Sequence, residues 1–369
     1  MGPSIHRNQS LDVLRAIAVL SVIGHHSDYY PLWTKAGWVG VDLFLVLSGF
    51  LISGLLFQEY KDTGKIRVRR FLVRRGLKIW PSYYLLLIGA TCLYFYNRSA
   101  MSKGQLLSNL FIVQNYLPGH PNYLILSHTW TLALEEHFYL LLPLLLVFLI
   151  AIRKGSPFRI IPVLSVIIAV VCLCFRFTLI PDRPDHLAWA THMRIDGLFG
   201  GVTLGYLSHF RPRWFAKFTG NYALIFAAIL ISPVVFFEQH DHRIQRFGLT
   251  SIALGFIFVV AWAVVRTPKS KMMQIILSGF ARIGVYSYSI YLWHTAIADA
   301  FISHPPSSFL KFWLYIASCL ACGIAMAYLV EIPYLRMRDR LFPAVASVVA
   351  LSPQLDTGRG VTSLSRGVT

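Results

Sequence analysis

Arg15 and His26 are the first residues in this chain whose types and spacing suggest chemistry. On one helix, eleven steps of 100° return to within about 20° of the starting direction and advance roughly 16 Å. One face would then carry a permanent cation near one end and an imidazole near the other. A guanidinium holds anions, and an imidazole exchanges protons near neutral pH. His25 points about 100° away from that face, so His26 is the candidate of the pair. Two plainer readings stay open: Asp12 sits at i,i+3 from Arg15 and could pair with it, and His26 could be a satisfied bundle histidine.

Further ionisable residues occur where the surrounding sequence is apolar. Asp42 is the single charge in GWVGVDLFLVLSGFLIS, Glu135 and Glu136 lie in HTWTLALEEHFYLLLP, Arg194 and Asp196 in HMRIDGLFGG, and His294 in YSYSIYLWHTAI. Charges in such surroundings are costly, which makes each a functional candidate, with pairing inside a bundle as the alternative. His26, Asp42, Glu135, Glu136, Asp196 and His294 are expected at similar depth, as the parts of a general acid/base site. The run RVRRFLVRRGLKIWP has a different character. Its Arg75 and Lys78, at i,i+3, can grip one phosphate together, although simple membrane anchoring also accounts for the positive sign.

The elements that position these residues follow from composition. The chain has 369 residues, 56% hydrophobic and 14% charged, with mean hydropathy +0.58; soluble domains carry about 25% charged residues. Apolar runs able to cross roughly 30 Å of hydrocarbon, at about 20 residues each, fall near 11–30, 38–57, 79–97, 130–152, 160–180, 192–209, 222–238, 247–265, 283–303 and 312–333. The expected fold is therefore an all-α polytopic membrane bundle of about ten transmembrane helices. The stretch 106–117 is too short to span and is expected to be re-entrant or interfacial. Residues 1–340 form one membrane domain, and 341–369 a cytoplasmic tail whose Ser/Thr/Gly-rich part from about 352 lacks ordered structure. The first run continues as a full span, so it is expected to be a helix and not a removable leader.

The net charge of +18 distributes asymmetrically. With the N-terminus in the cytoplasm, 24 of the 34 Lys and Arg fall in internal connections or termini, 7 in external ones and 3 in spans. The basic excess thus encodes topology, with both termini cytoplasmic, and nucleic acid is not an expected partner. The five cysteines lie in apolar surroundings. Cys319 and Cys322 have no further Cys/His ligand set, so packing is expected and no metal.

Taken in order, LDVLRAIAVLSVIGHH, VGVDLFLVLSGFLISGLL, FLVRRGLKIWPSYYLL, WTLALEEHFYLLLP, RIDGLFGGVTLG, YSYSIYLWH and VEIPYLR resemble the integral-membrane acyltransferase family 3 over about residues 10–340. The resemblance implies a bacterial inner-membrane enzyme that moves an acyl group, acetyl above all, from cytoplasmic acyl-CoA to a hydroxyl at or beyond the outer face. It makes Arg15 and His26 the signature pair, with His26 the base and Glu136 or Asp42 orienting its ring. Arg15, Arg75 and Lys78 are expected to meet the donor, while Glu135, Arg194, Asp196 and His294 support the site or the acceptor. Lys78 stands where the family has Arg, which keeps the charge but loses the bidentate fork. His137 stands where Gln is frequent. No segment resembles the soluble hydrolase-like domain of some members, so transfer is expected to finish in the membrane domain or on a partner.

The implied partners are acyl-CoA, membrane lipids and a sugar-containing acceptor: polysaccharide, lipid-linked sugar, lipopolysaccharide, glycolipid or antibiotic. Direct transfer and a covalent acyl-enzyme both fit. There is no Gly-x-Ser-x-Gly elbow, which removes support from a serine-hydrolase type of acyl transfer. The competing class is a proton-coupled transporter or flippase using the same buried charges.

Overall fold

The computed structural model describes residues 8–27, 29–97, 101–117, 124–153, 155–179, 186–268, 270–301 and 308–343. All regular structure among them is helical. The longer helices are α1 (Gln9–His25), α2 (Gly40–Thr63), α3 (Val68–Tyr96), α4 (Trp130–Ile152), α5 (Ile161–Leu179), α6 (Thr191–Phe210), α7 (Tyr222–Ile231), α8 (Leu249–Val264), α9 (Lys271–Val285), α10 (Ser287–Phe301), α11 (Phe309–Met326) and α12 (Ile332–Leu341). This is an all-α polytopic membrane architecture. Expectations for Arg7, Arg98, Arg183 and the tail from 344 onward lie outside the described residues.

Six continuous helical stretches among the described residues are long and apolar enough to cross a membrane, and two further pairs qualify if each bent pair is one span. The bent pairs are Pro212–Phe218 with Tyr222–Phe236, and α9 with α10, turned by 64° and 70°. The remaining expected spans are also helices: α1 is short, at 17 residues, and α6 carries Arg194 and Asp196. Three boundaries differ from the sequence reading. α1 ends at His25, with His26 as its C-cap, instead of running to residue 30. α3 begins eleven residues earlier than 79, so the cationic run is itself helical and Pro81 lies inside the helix, not at its start. The span expected over 283–303 is broken between Val285 and Ser287.

Lys, Arg and Leu are good helix formers, which lets the basic run and the apolar span of α3 share one helix of 29 residues. Between α3 and α4, the segment expected to be re-entrant contains the short helix Lys103–Leu110, opened by a Ser102 and Gln105 capping box. Its Ser108 and Asn109, and Gln114 and Asn115 beyond, are buried. Tyr83 of α3 donates to the Asn109 carbonyl at 2.8 Å, so the segment packs its polar groups into the bundle.

The stretch leading through α2 is the most enclosed of the six, with 67% of its apolar window buried, against 17% for the stretch containing α5. α2 is therefore central and α5 peripheral. α2 and α6 meet at backbone distance: a Cβ on Gly49 would strike the Leu198 carbonyl, and one on Gly201 the Val46 carbonyl. Small residues at such crossings let membrane helices gain dispersion contacts that lipid would otherwise supply.

Two ion pairs lock this centre. Arg194 of α6 meets Asp42 of α2 at 3.0 Å and lies over the Trp130 ring. Arg176 of α5 has no exposed surface. It donates through Nη2 to both Asp196 oxygens at 2.8 and 2.9 Å, through Nε to the Met193 carbonyl and through Nη1 to Thr250. Thr250 in turn donates to Asp196 at 2.6 Å. Breaking a buried pair leaves one charge uncompensated, whereas removing both partners is often tolerated. Arg176→Met is therefore expected to cost about 3–5 kcal/mol of stability, read as a fall in unfolding temperature in detergent. The double variant Arg176→Met/Asp196→Leu should recover most of the loss; a double variant no more stable than the single would refute this account.

Candidate active site

A cavity of about 510 Å³ runs between the helices, inside the size range of small-molecule and cofactor sites. Its walls follow helical periodicity, which brings residues three or four apart onto one face. α1 contributes Asn8, Leu11 and Arg15; α2 contributes Phe44, Ser48, Leu51, Leu55, Gln58 and Asp62; α3 contributes Phe71, Arg75 and Lys78 beside Arg70 and Arg74. α4 adds Thr131, Glu135 and Tyr139, α10 adds Ser287, Tyr288 and Tyr291, and α12 adds Arg338. Along α2 the lining runs from Asp62 to Val41, roughly 32 Å at 1.5 Å per residue. Such a groove suits a long, thin ligand.

The cavity is polarised along its length. Gln58, Glu59, Asp62, Arg70, Arg74 and Arg338 gather at one end, hereafter the basic end. Six Arg and Lys side chains line the cavity against three carboxylates, so its field favours an anion. Arg74 is held by Asp339 at 3.0 Å and by the Phe342 carbonyl, which brings the C-terminal helix α12 to the mouth. Deeper in, the Arg75 guanidinium packs over the rings of Phe71 and Tyr139. The Tyr139 hydroxyl donates to Glu135 at 2.6 Å and lies 3.1 Å from Ser48 Oγ. Because the tyrosine proton goes to the carboxylate, Ser48 is the donor in the second contact.

The far end closes on Tyr291, whose hydroxyl lies 2.9 Å from Thr131 Oγ1. Behind it stand three imidazoles. The rings of His26 and His294 are 5.1 Å apart, those of His294 and His128 5.2 Å, and Tyr291 lies 5.2 Å from His128 and 5.5 Å from His294. His26 Nδ1 is 2.9 Å from the Val22 carbonyl. A carbonyl only accepts, so the neutral ring carries its proton on Nδ1 and its lone pair on Nε2, the tautomer a general base requires.

The expected residues thus separate into groups. Arg15, Arg75, Lys78 and Glu135 share the cavity. His26 and His294 meet beyond its closed end. Arg15 also lies 4.0 Å from Asp12, so its local pair and its place in the cavity coexist. Asp42, Arg194, Asp196 and Glu136 do not line the cavity. The two carboxylates expected to orient His26 are engaged elsewhere, Asp42 by Arg194 and Glu136 by the Trp80 indole at 3.2 Å. His137 donates to or accepts from Thr191 at 2.7 Å. Sequence reasoning missed Arg70, Arg74, Tyr139, Tyr291, Arg338 and His128. Arg70 and Arg74 were visible as the same helical face as Lys78, and His128 as a histidine two residues before the fourth span.

A family model described as an acyltransferase domain matches residues 8–331. The chain belongs to this membrane acyltransferase family. Among its relatives is a Staphylococcus aureus (strain COL) protein named "Putative O-acetyltransferase", 31% identical over 78% of this chain and 50% of that protein. The peptidoglycan O-acetyltransferase OatA of Listeria monocytogenes is 28% identical over 78% of this chain and 49% of its own length. The O-acetyltransferase OatA of Staphylococcus aureus (strain NCTC 8325) is 28% identical over 85% and 54%. The chain spans about half the length of these curated relatives. No solved structure matches it.

The cavity's polarity can be tested without any ligand. In a cysteine-free background, a thiol introduced as Gln58→Cys should react readily with an impermeant maleimide supplied at the basic end, Ser48→Cys more slowly, and His128→Cys not at all. Equal labelling at 48 and 128 would show that Tyr291 does not close the cavity.

Proposed function

We propose that the protein is a membrane O-acyltransferase that takes an acyl group, acetyl in the simplest case, from cytoplasmic acyl-CoA and delivers it to a hydroxyl of a sugar-containing acceptor on the other side of the bacterial inner membrane. The observation that carries this reading is a cavity lined by six cations, three of them at its basic end, whose far end closes on Tyr291 in front of three imidazoles. On this reading the basic end and both termini are cytoplasmic, in line with the positive-inside asymmetry of the sequence. The names of the relatives, one of them an enzyme acting on peptidoglycan, favour acetyl as the group and a cell-envelope glycan as the acceptor class.

Coenzyme A is a phosphorylated nucleotide with a slender arm ending in the thioester. Its phosphates would lie among Arg15, Arg75 and Lys78, with Arg70, Arg74 and Arg338 lining the entrance. The arm would follow the apolar wall of α2 toward Tyr291. His26 Nε2 then removes the proton of the acceptor hydroxyl, the oxygen attacks the thioester carbonyl, the C–S bond breaks, and coenzyme A leaves as the thiol once protonated. The backbone carbonyl of Val22 holds the imidazole in position, a role that the sequence reading assigned to Glu136 or Asp42.

Arg75→Ala should raise the apparent KM for acyl-CoA about tenfold or more, since hydrogen bonds to charged groups contribute about 1.5–3 kcal/mol, with little change in the KM for acceptor. His26→Ala should keep donor binding yet lose transfer by roughly 100-fold or more, and His25→Ala should cost far less. Steady-state kinetics with purified protein, alongside direct titration of a non-hydrolysable acyl-CoA analogue, separates the two effects. Unchanged donor affinity in Arg75→Ala, or near-normal turnover in His26→Ala, would remove the corresponding assignment.

A further inference from the structure

At the basic end of the cavity an anion is already seated between two of the lining cations. Arg338 of α12 donates to Asp339 through Nε at 2.9 Å and through Nη2 at 3.0 Å, and Arg74 of α3 reaches the same carboxylate through Nη2 at 3.0 Å. Both arginines line the cavity, whereas Asp339 does not. The charges do not balance. A carboxylate sets one negative charge against two guanidiniums, while a phosphate monoester carries about 1.5 to 2 at pH 7 and offers three strong acceptor oxygens. Exposure is unequal too: 22% for the Arg74 side chain and 18% for Arg338, but 53% for Asp339. An ion pair with one partner largely in water contributes little, so Asp339 can turn into solvent at small cost. The two cations lie where partial shielding strengthens a bond to a charged ligand. Arg74 also donates through Nη1 to the carbonyl of Phe342, the residue that caps α12. That contact does not involve Asp339, so departure of the carboxylate leaves α12 tied to α3.

Resting on the acyl-CoA reading above, we propose that Arg74 and Arg338 form a seat for the 3′-phosphate of coenzyme A, the phosphate monoester on its ribose, and that Asp339 fills this seat until the donor displaces it. The position of the seat suits that group. Arg74 precedes Lys78 on α3 by one helical turn, roughly 6 Å, and stands on the side of the basic end. In coenzyme A the 3′-phosphate is one ribose away from the pyrophosphate and lies at the nucleotide end, far from the thioester. With the pyrophosphate among Arg15, Arg75 and Lys78, the 3′-phosphate falls at the mouth while the arm points inward. Arg70, one further turn out on the same face, adds to the positive field there. Arg338 and Asp339 lie past the family match, which ends at residue 331, so the seat is completed by a helix outside that region. No covalent bond changes; one anion replaces another. The consequence is specificity: a thioester of coenzyme A gains the seat, and one carried on phosphopantetheine alone gains nothing from it. A lipid headgroup that is a phosphate monoester has the same chemistry, and the test separates the two sources.

The test reads binding and needs no turnover. S-ethyl-CoA and S-ethyl-3′-dephospho-CoA are titrated calorimetrically into the purified full chain in uncharged detergent. The unaltered protein should bind the phosphorylated probe about tenfold more tightly, or more, as charge-assisted bonds to two guanidiniums allow. Arg74→Gln and Arg338→Gln should each bring the ratio of the two dissociation constants toward one by weakening S-ethyl-CoA alone; retained binding of the dephospho probe shows that the variant is folded. Asp339→Asn should tighten S-ethyl-CoA several-fold and leave the dephospho probe unchanged. Glu59→Gln, which removes one negative charge from the same end, should not widen the ratio. Equal affinity for both probes in the unaltered protein, a ratio that survives both arginine variants, or an Asp339→Asn variant that tightens both probes alike overturns the proposal. Dioleoylphosphatidic acid added to the micelles should leave the ratio intact, and its loss would assign the seat to a lipid headgroup instead. Failure of the unaltered protein to bind either probe would refute the acyl-CoA reading itself.

Discussion

A charge cannot face hydrocarbon, and most features of this structure follow from where the chain puts its charges instead. Arg176 and Asp196 cancel each other inside α5, α6 and α8 with every guanidinium nitrogen committed. Asp42 and Arg194 pair between α2 and α6 through one Nη2–Oδ1 contact at 3.0 Å. These two pairs, together with the glycine crossing of α2 on α6, fix the spacing of the central helices. Other cations turn toward the cavity, Arg74 held by Asp339 and Arg75 packed over the Phe71 and Tyr139 rings.

Much of this was legible in the sequence, because helical periodicity in an apolar background is a strong signal. The helices, the cationic face of α3 and the candidacy of Arg15, Arg75 and His26 all follow from spacing within single segments. Partnerships between distant segments did not follow. Nothing local indicates that Asp339 meets Arg74, or that Arg338 reaches the same cavity as Asn8. The six groups expected at one depth also separate, because depth inferred from topology ignores what each residue packs against. Glu135 faces the cavity from α4 while Asp196 is spent on Arg176. His128 was overlooked for a similar reason: it precedes the apolar run, in a segment that folds back into the bundle to meet α10.

The arrangement also bears on how one membrane domain could serve several acceptors. On the proposed reading, the cationic mouth and the apolar groove would recognise only what acyl-CoA molecules have in common, while the acceptor would approach the imidazoles from the other side. Changes in the connections near Tyr116, whose ring contacts those of His137 and His192, could then alter acceptor choice without touching the donor site. The relatives, about twice as long as the matched region, share this domain and add further sequence to it.

The central claim is that the cavity carries an acyl group from one side of the membrane to the other. It is tested most directly by reconstituting the protein in sealed vesicles, with acyl-CoA and a polar glycan acceptor on opposite sides, neither able to cross. The account predicts acylated acceptor only when the donor is on the side of the basic end and the acceptor on the other. Product formed only when donor and acceptor share one side would contradict it.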